Sequence, residues 1–269
     1  MRLIAILASL SLVIGCSVIE DFLVPSHRYT FSYDGMERTY RLYEPKGLPQ
    51  NAPLVVMLHG LYGRSAPVEG SMKWDKQADA YKFKVAYPDG VGHSWNAHGC
   101  CGEAAEKNIN DIGFLTAMVN RIPGVDRTRV YAAGMSNGGM MAYTLACTTD
   151  VFAAIGPVAS TQVDTCRNPH PTSVLAYHNL DDATVPFSGT PKGGEFRVDA
   201  PPVNDVIEGW RRVDACGPPV VTVVAPRTTS TATCADNREI ELITNADGGH
   251  AWPTDFEAGL WTFFAQHSK

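Results

Sequence analysis

The stretch Arg129-Val130-Tyr131-Ala132-Ala133-Gly134-Met135-Ser136-Asn137-Gly138-Gly139-Met140-Met141-Ala142-Tyr143 decides how this chain is read. Residues 129–133 read as a strand whose core, VYAA (130–133), is the apolar run a buried strand needs. Residues 137–147 read as a helix. Between them, Gly134-Met135-Ser136-Asn137-Gly138 fits G-x-S-x-G, a sharp strand-to-helix turn with a serine at its tip. Glycines flank the serine because so tight a turn leaves little room for Cβ atoms. The helix N-terminus behind it offers unpaired N–H groups and the positive end of a dipole. A Gly-rich turn with a capping serine is the plain alternative.

Working outward, residues 53–58 (PLVVML) are short and continuously apolar, as a strand buried on both faces requires. Runs 28–33 and 38–44 flank Asp34-Gly35, a hairpin signal. Further strands are expected at 83–87, 152–158, 173–178 and 239–244. Helices are expected at 74–81, 111–122, 203–213 and 255–267. This alternation implies right-handed βαβ units. The fold class is therefore α/β, a mostly parallel central sheet flanked by helices with an N-terminal antiparallel hairpin. The stretch between Cys216 and Cys234 carries no clear pattern. No repeat or linker interrupts residues 28–267, so residues 28–269 read as a single domain.

A serine hydroxyl is a weak nucleophile at neutral pH and needs a histidine base oriented by a carboxylate. Of the eight histidines, His250 lies in Asp247-Gly248-Gly249-His250-Ala251-Trp252-Pro253, the last loop after a strand. Loops at the C-terminal ends of parallel strands are where α/β proteins place site residues. His267, near the chain end, reads as solvated. The acid should fall between serine and histidine. Two neighbours qualify, Asp181 and Asp182, in the loop after the strand at 173–178, and Asp182 is favoured. An oxyanion hole needs two backbone N–H groups. Asn137, just after the serine, supplies one, and Leu61, in His59-Gly60-Leu61-Tyr62-Gly63, the other.

The 269 residues are 45% hydrophobic and 19% charged, with a formal charge of −6. That excludes collagen-like and disordered chains and argues against a nucleic-acid partner, which needs a basic face. Residues 1–15 read as a secretory signal: a basic start, then an apolar run. Leu12-Val13-Ile14-Gly15-Cys16 resembles the lipobox of bacterial lipoproteins, so Cys16 would carry a lipid and residues 16–27 would be anchor and tether. The chain would then sit outside the cytoplasm, held to a membrane or secreted. Removing Cys16 from the seven cysteines leaves an even set suited to disulfides. Cys216 and Cys234 read as one pair. A vicinal Cys100–Cys101 bond would be strained, so those two are expected to pair separately with Cys147 and Cys166. Cys100 and Cys101 near His93 and His98 could also ligate a metal, but cysteine pairing is favoured outside the cytoplasm.

These blocks together resemble the extracellular polyhydroxybutyrate depolymerase and feruloyl esterase family of α/β-hydrolases. The resemblance is carried by VVMLHG (55–60), YPDG (87–90), GCCG (99–102), NDIGFL (110–115), RVYAAGMSNGGMMAY (129–143), FAAIGPVAS (152–160), HNLDDATVPFSG (178–189) and GGHAWP (248–253). It implies Ser136, Asp182 and His250 as catalytic residues, with Asn179 standing where the family usually has glycine. Trp95 and Tyr62 would contact substrate, and Trp252 would buttress His250. It also implies a monomeric serine esterase that needs no cofactor or metal and acts on polyhydroxybutyrate-type, feruloyl or acetyl esters. A non-catalytic binding lipoprotein and an acyltransferase are the competing readings.

Overall fold

The computed structural model describes residues 24–163, 165–167, 169–190 and 200–269. Cys16 and the signal, with most of the tether, lie outside them. The chain begins with the antiparallel pair β1 (His27–Tyr33) and β2 (Met36–Tyr43), folded back at Asp34-Gly35. The strands β3 (Ala52–Leu58), β4 (Lys84–Pro88), β5 (Val125–Met135), β6 (Ala154–Val158), β7 (Ser173–Asn179) and β10 (Glu239–Asn245) follow in parallel. An antiparallel pair, β8 (Val220–Val224) and β9 (Arg227–Thr233), closes the far side. The ten-stranded order is β1-β2-β4-β3-β5-β6-β7-β10-β9-β8.

Every residue of β3 is buried, which explains its lack of polar alternation. Leu54, Val56 and Leu58 face one core, and Val55 and Met57 face the other. The first core is covered by α4 (Asp111–Arg121), α5 (Asn137–Thr148) and α6 (Val203–Val213). The second is covered by α1 (Ser65–Met72), α2 (Trp74–Tyr81) and α7 (Phe256–Ala265); α3 (Gly102–Glu106) is a single turn. On the second face Trp261 stacks on Phe83 with ring centres 3.8 Å apart, and Phe264 stacks on Tyr131 at 4.8 Å. Trp261→Ala should lower stability by about 3–5 kcal/mol in urea unfolding, from lost burial and the cavity left behind.

Two expectations change. The stretch between Cys216 and Cys234 is a β-hairpin paired to β10 through β9. All five residues of β8 are exposed, so no buried face imposed an alternating pattern on it. His267 is buried rather than solvated, edge-on to Phe263 at 4.5 Å, with its carbonyl accepting from Tyr131 Oη.

Asp75, at the start of α2, accepts a hydrogen bond from the buried Tyr87 hydroxyl at 2.7 Å. Burial, then the neighbouring Glu69, pushes its carboxyl up to about 8 against the pull of the Tyr87 bond. The folded chain therefore keeps a proton that the unfolded chain releases near pH 4. This group's contribution to stability falls as pH rises from about 4 to 8. Asp75→Asn, which removes that titration, should raise the melting temperature at pH 8 and change it little at pH 4.

Candidate active site

The C-terminal ends of the six parallel strands share one edge of the sheet, and the candidate serine, acid, base and His-Gly loop fall there. His59-Gly60 follows β3, Asp89-Gly90 follows β4, Ser136 follows β5, Asp181-Asp182 follow β7 and His250 follows β10.

Ser136 occupies the turn between β5 and α5 with φ 56° and ψ −123°. A non-glycine residue held there is strained by about 1–3 kcal/mol. The surroundings enforce it: the Ser136 amide donates to Val158 O at 2.9 Å, and its carbonyl accepts from Met140 N at 2.9 Å. A Cβ on Gly138 would lie 2.4 Å from Leu58 O, so only glycine lets α5 approach β3 this closely. The serine thus sits at the N-terminus of a buried helix, 7% exposed.

Asp182 is held by its own loop. Oδ1 accepts from the amides of Thr184 and Val185, each at 2.9 Å, an Asx-type turn. Oδ2 accepts from His250 Nδ1 at 2.8 Å. Burial pushes the Asp182 carboxyl up, but the His250 and amide hydrogen bonds outweigh it and hold the group below the ordinary aspartate range. The carboxylate is therefore ionised at neutral pH. Because Nδ1 of His250 donates to it, the ring's lone pair is on Nε2, the form a general base requires. Beneath it, His178 Nε2 lies 2.8 Å from Val185 O and 3.6 Å from Asp182 Oδ2, and burial keeps this ring neutral.

No hydrogen bond joins Ser136 Oγ to His250 among the described residues. Such bonds are often long without substrate and tighten in the substrate complex.

The amides of Leu61 and Asn137 have no partner among the described residues. Around Leu61 the backbone is pinned: Tyr62 N donates to His93 O at 2.8 Å, and Gly63 N to Gly60 O at 2.9 Å. His59 Nε2 accepts from Gly90 N at 3.0 Å, so its Nδ1 carries the proton and donates to Gly60 O at 2.8 Å. Two spare amides at the rim of the elbow can hold the oxygen of a tetrahedral adduct.

Trp95 does not line the cleft as expected. It is 0% exposed, because its indole donates to His59 O at 2.9 Å and its ring packs on His59. Its backbone is gripped at two points by the Asn137 side chain, at 2.7 and 2.9 Å. Trp95 thus ties the turn carrying Leu61 to the helix carrying Asn137. The next residue, Asn96, donates its amide to Asp111 Oδ2, whose other oxygen makes a buried ion pair with Arg38 at 2.6 Å. Burial pushes the Asp111 carboxyl up despite that guanidinium. Tyr62 stands 83% exposed on the Leu61 turn. Trp252 donates to Glu257 and packs edge-on to Phe256, fastening the His250 loop to α7.

The disulfides differ from the expected pairing. Cys147, in the last turn of α5, is bonded to Cys166, with Cα atoms 5.4 Å apart, an ordinary span for such a bond. Cys100 and Cys101 are left to each other and are joined as neighbours, their shared peptide in the cis form. Cys216 is bonded to Cys234 across the base of the β8–β9 hairpin. Among the described residues, no group of three or more His, Cys, Asp or Glu side chains is arranged to hold a metal ion.

A mixed, mostly parallel sheet with a serine on a strand-to-helix elbow and an Asp–His pair on the same edge defines an α/β-hydrolase. The profile of the family described as Esterase PHB depolymerase matches residues 38–167. A protein of Nocardia uniformis subsp. tsuyamanensis named "Putative esterase NocK" is 32% identical over 81% of this chain and 72% of its own length. Feruloyl esterase B of Piromyces equi is 28% identical over 81% of this chain but only 42% of its own length, so the chain spans less than half of that relative. Among solved structures, an acetyl xylan esterase from Aspergillus awamori superposes with a TM-score of 0.62, covering 89% of this chain and 99% of that one at 16% identity, a likeness of fold. The chain belongs to the Esterase PHB depolymerase family, and it is a carboxylic-ester hydrolase of the α/β-hydrolase type.

Asn179 and Asp111 stood in quoted motifs without a role of their own, and Asp181 stood only as the less favoured candidate for the acid. The contacts that give these three side chains their places at the edge reach residues 15 to 73 positions away in the chain, beyond any local pattern.

Proposed function

We propose that this protein hydrolyses carboxylic esters through an acyl-enzyme formed on Ser136. His250 Nε2 takes the hydroxyl proton as Ser136 Oγ attacks the ester carbonyl. The amides of Leu61 and Asn137 hold the oxyanion. His250 then passes the proton to the departing alcohol, and a water activated by the same imidazole releases the acid. Asp182 orients His250 and stabilises its charged form. The observation that carries this reading is the 2.8 Å bond from His250 Nδ1 to Asp182 Oδ2 on the same strand edge as the Ser136 elbow.

The substrates proposed are esters of the kinds its relatives are named for: feruloyl, acetyl and hydroxyalkanoate esters. Residues 1–15 would be removed as a signal, Cys16 would carry a lipid, and residues 28–269 would act as one monomeric catalytic domain outside the cytoplasm. The test is a panel of methyl ferulate, acetylated xylan and 3-hydroxybutyrate oligomers, with a fluorophosphonate label on Ser136. Turnover of one class with labelling is the expected result. Folded protein that neither labels nor turns over any of the three would refute the reading. Lipid attachment is tested separately, by incorporation of a labelled fatty acid that Cys16→Ser abolishes.

A further inference from the structure

We infer that Asn179 and Asp181 are positioning residues that clamp the Gly248-Gly249 turn and so set where His250 meets Asp182. The inference rests on the reading of His250 as the base. Asn179 Nδ2 donates to Gly249 O at 2.8 Å. Asp181 Oδ1 accepts from Gly249 N at 2.8 Å, and Oδ2 from Gly248 N at 3.2 Å. The Gly249 residue is therefore held by both its N–H and its C=O, from the last residue of β7 and the loop that follows it. That same loop carries Asp182. Asn179 is itself fixed, because Tyr177 Oη donates to its Oδ1 at 3.1 Å and its side chain is buried.

The turn needs such a clamp. Gly248 and Gly249 adopt φ +134° and +61°, conformations that glycine reaches along with many others. Two successive glycines before the base would otherwise leave the imidazole a wide choice of positions. Gly248 also permits the approach, since a Cβ there would lie 2.7 Å from Asn179 Nδ2. The two neighbouring aspartates thus divide the work. Asp182 bonds the imidazole, and the exposed Asp181 bonds the backbone that carries it.

Three variants test this in the full chain, with p-nitrophenyl acetate turnover, thermal melting and the low-field proton resonance of the His250–Asp182 hydrogen bond. Asp181→Ala should lower kcat about tenfold with KM and melting temperature little changed, and should broaden that resonance. Asn179→Asp, which sets an acceptor against Gly249 O, should lower kcat by about 10²-fold. Asp181→Asn keeps one acceptor and loses the charge, so its kcat should lie nearer the parent than that of Asp181→Ala. Equal losses in Asp181→Asn and Asp181→Ala would mean that charge, not the clamp, matters, and would overturn the inference. So would a kcat for Asp181→Ala within about twofold of the parent. Ser136→Ala separates the two levels. If it stays active, the acyl-enzyme reading itself fails; if it is inert while Asp181→Ala turns over normally, the clamp alone fails.

Discussion

Ser136→Ala should lower kcat for ester hydrolysis by roughly 10⁵–10⁶-fold while leaving the fold intact. Without Oγ no acyl-enzyme forms, and the remaining rate comes from binding and from the amides of Leu61 and Asn137 acting on a water. The backbone makes the control unusually clear. Ser136 is held at φ 56° and ψ −123°, which alanine tolerates no better than serine. Ser136→Ala should therefore melt close to the parent. Ser136→Gly relieves the strain and should melt higher while being equally inactive. If both variants are inactive and only the glycine variant gains stability, the elbow stores strain to present the hydroxyl. Substantial turnover by Ser136→Ala would remove the serine from the mechanism.

Asp182→Asn is the second large effect, with an expected loss in kcat of about 10⁴-fold. The asparagine oxygen can still accept from the Thr184 and Val185 amides, so the loop should keep its shape. Its NH₂ group would then face His250 Nδ1 and select the tautomer protonated on Nε2, which cannot take the serine proton. The carboxylate also has a pH signature. Its folded-state value lies below the ordinary one, so the stabilisation it supplies is present above about pH 4 and is lost as pH falls through the folded value. Asp182→Asn should therefore be less stable than the parent at pH 7, with the gap closing in acid. Urea unfolding at pH 7 and pH 3 measures this, and a gap that widens in acid would contradict it.

Much of this architecture was legible in the chain. Continuous apolar runs such as residues 53–58 mark strands buried on both faces, and α2 and α6 match the spans 74–81 and 203–213. The β8–β9 hairpin escaped because hydrophobic patterning records burial, and β8 has none. Its Val-rich and Thr-rich composition was the available signal. The vicinal Cys100–Cys101 bond escaped for a different reason. Pairing is a competition in space, and nothing local reports that Cys166 returns to the end of α5.

The site divides along the same line. The sequence alone determined the tight Gly-Ser-Gly turn, the order serine, aspartate, histidine, and the strand ends that carry them, because these follow from steric and periodic rules within a few residues. The sequence favoured Asp182 over Asp181, but only the tertiary structure brings one of them to His250, since the two side chains are chemically identical and differ only in which way the loop turns them. It also decided that Trp95 is a buried tie between His59 and Asn137 rather than a wall of the cleft. Such assignments depend on hydrogen bonds between groups far apart in the chain, and those exist only once the sheet has brought its strand ends to one edge.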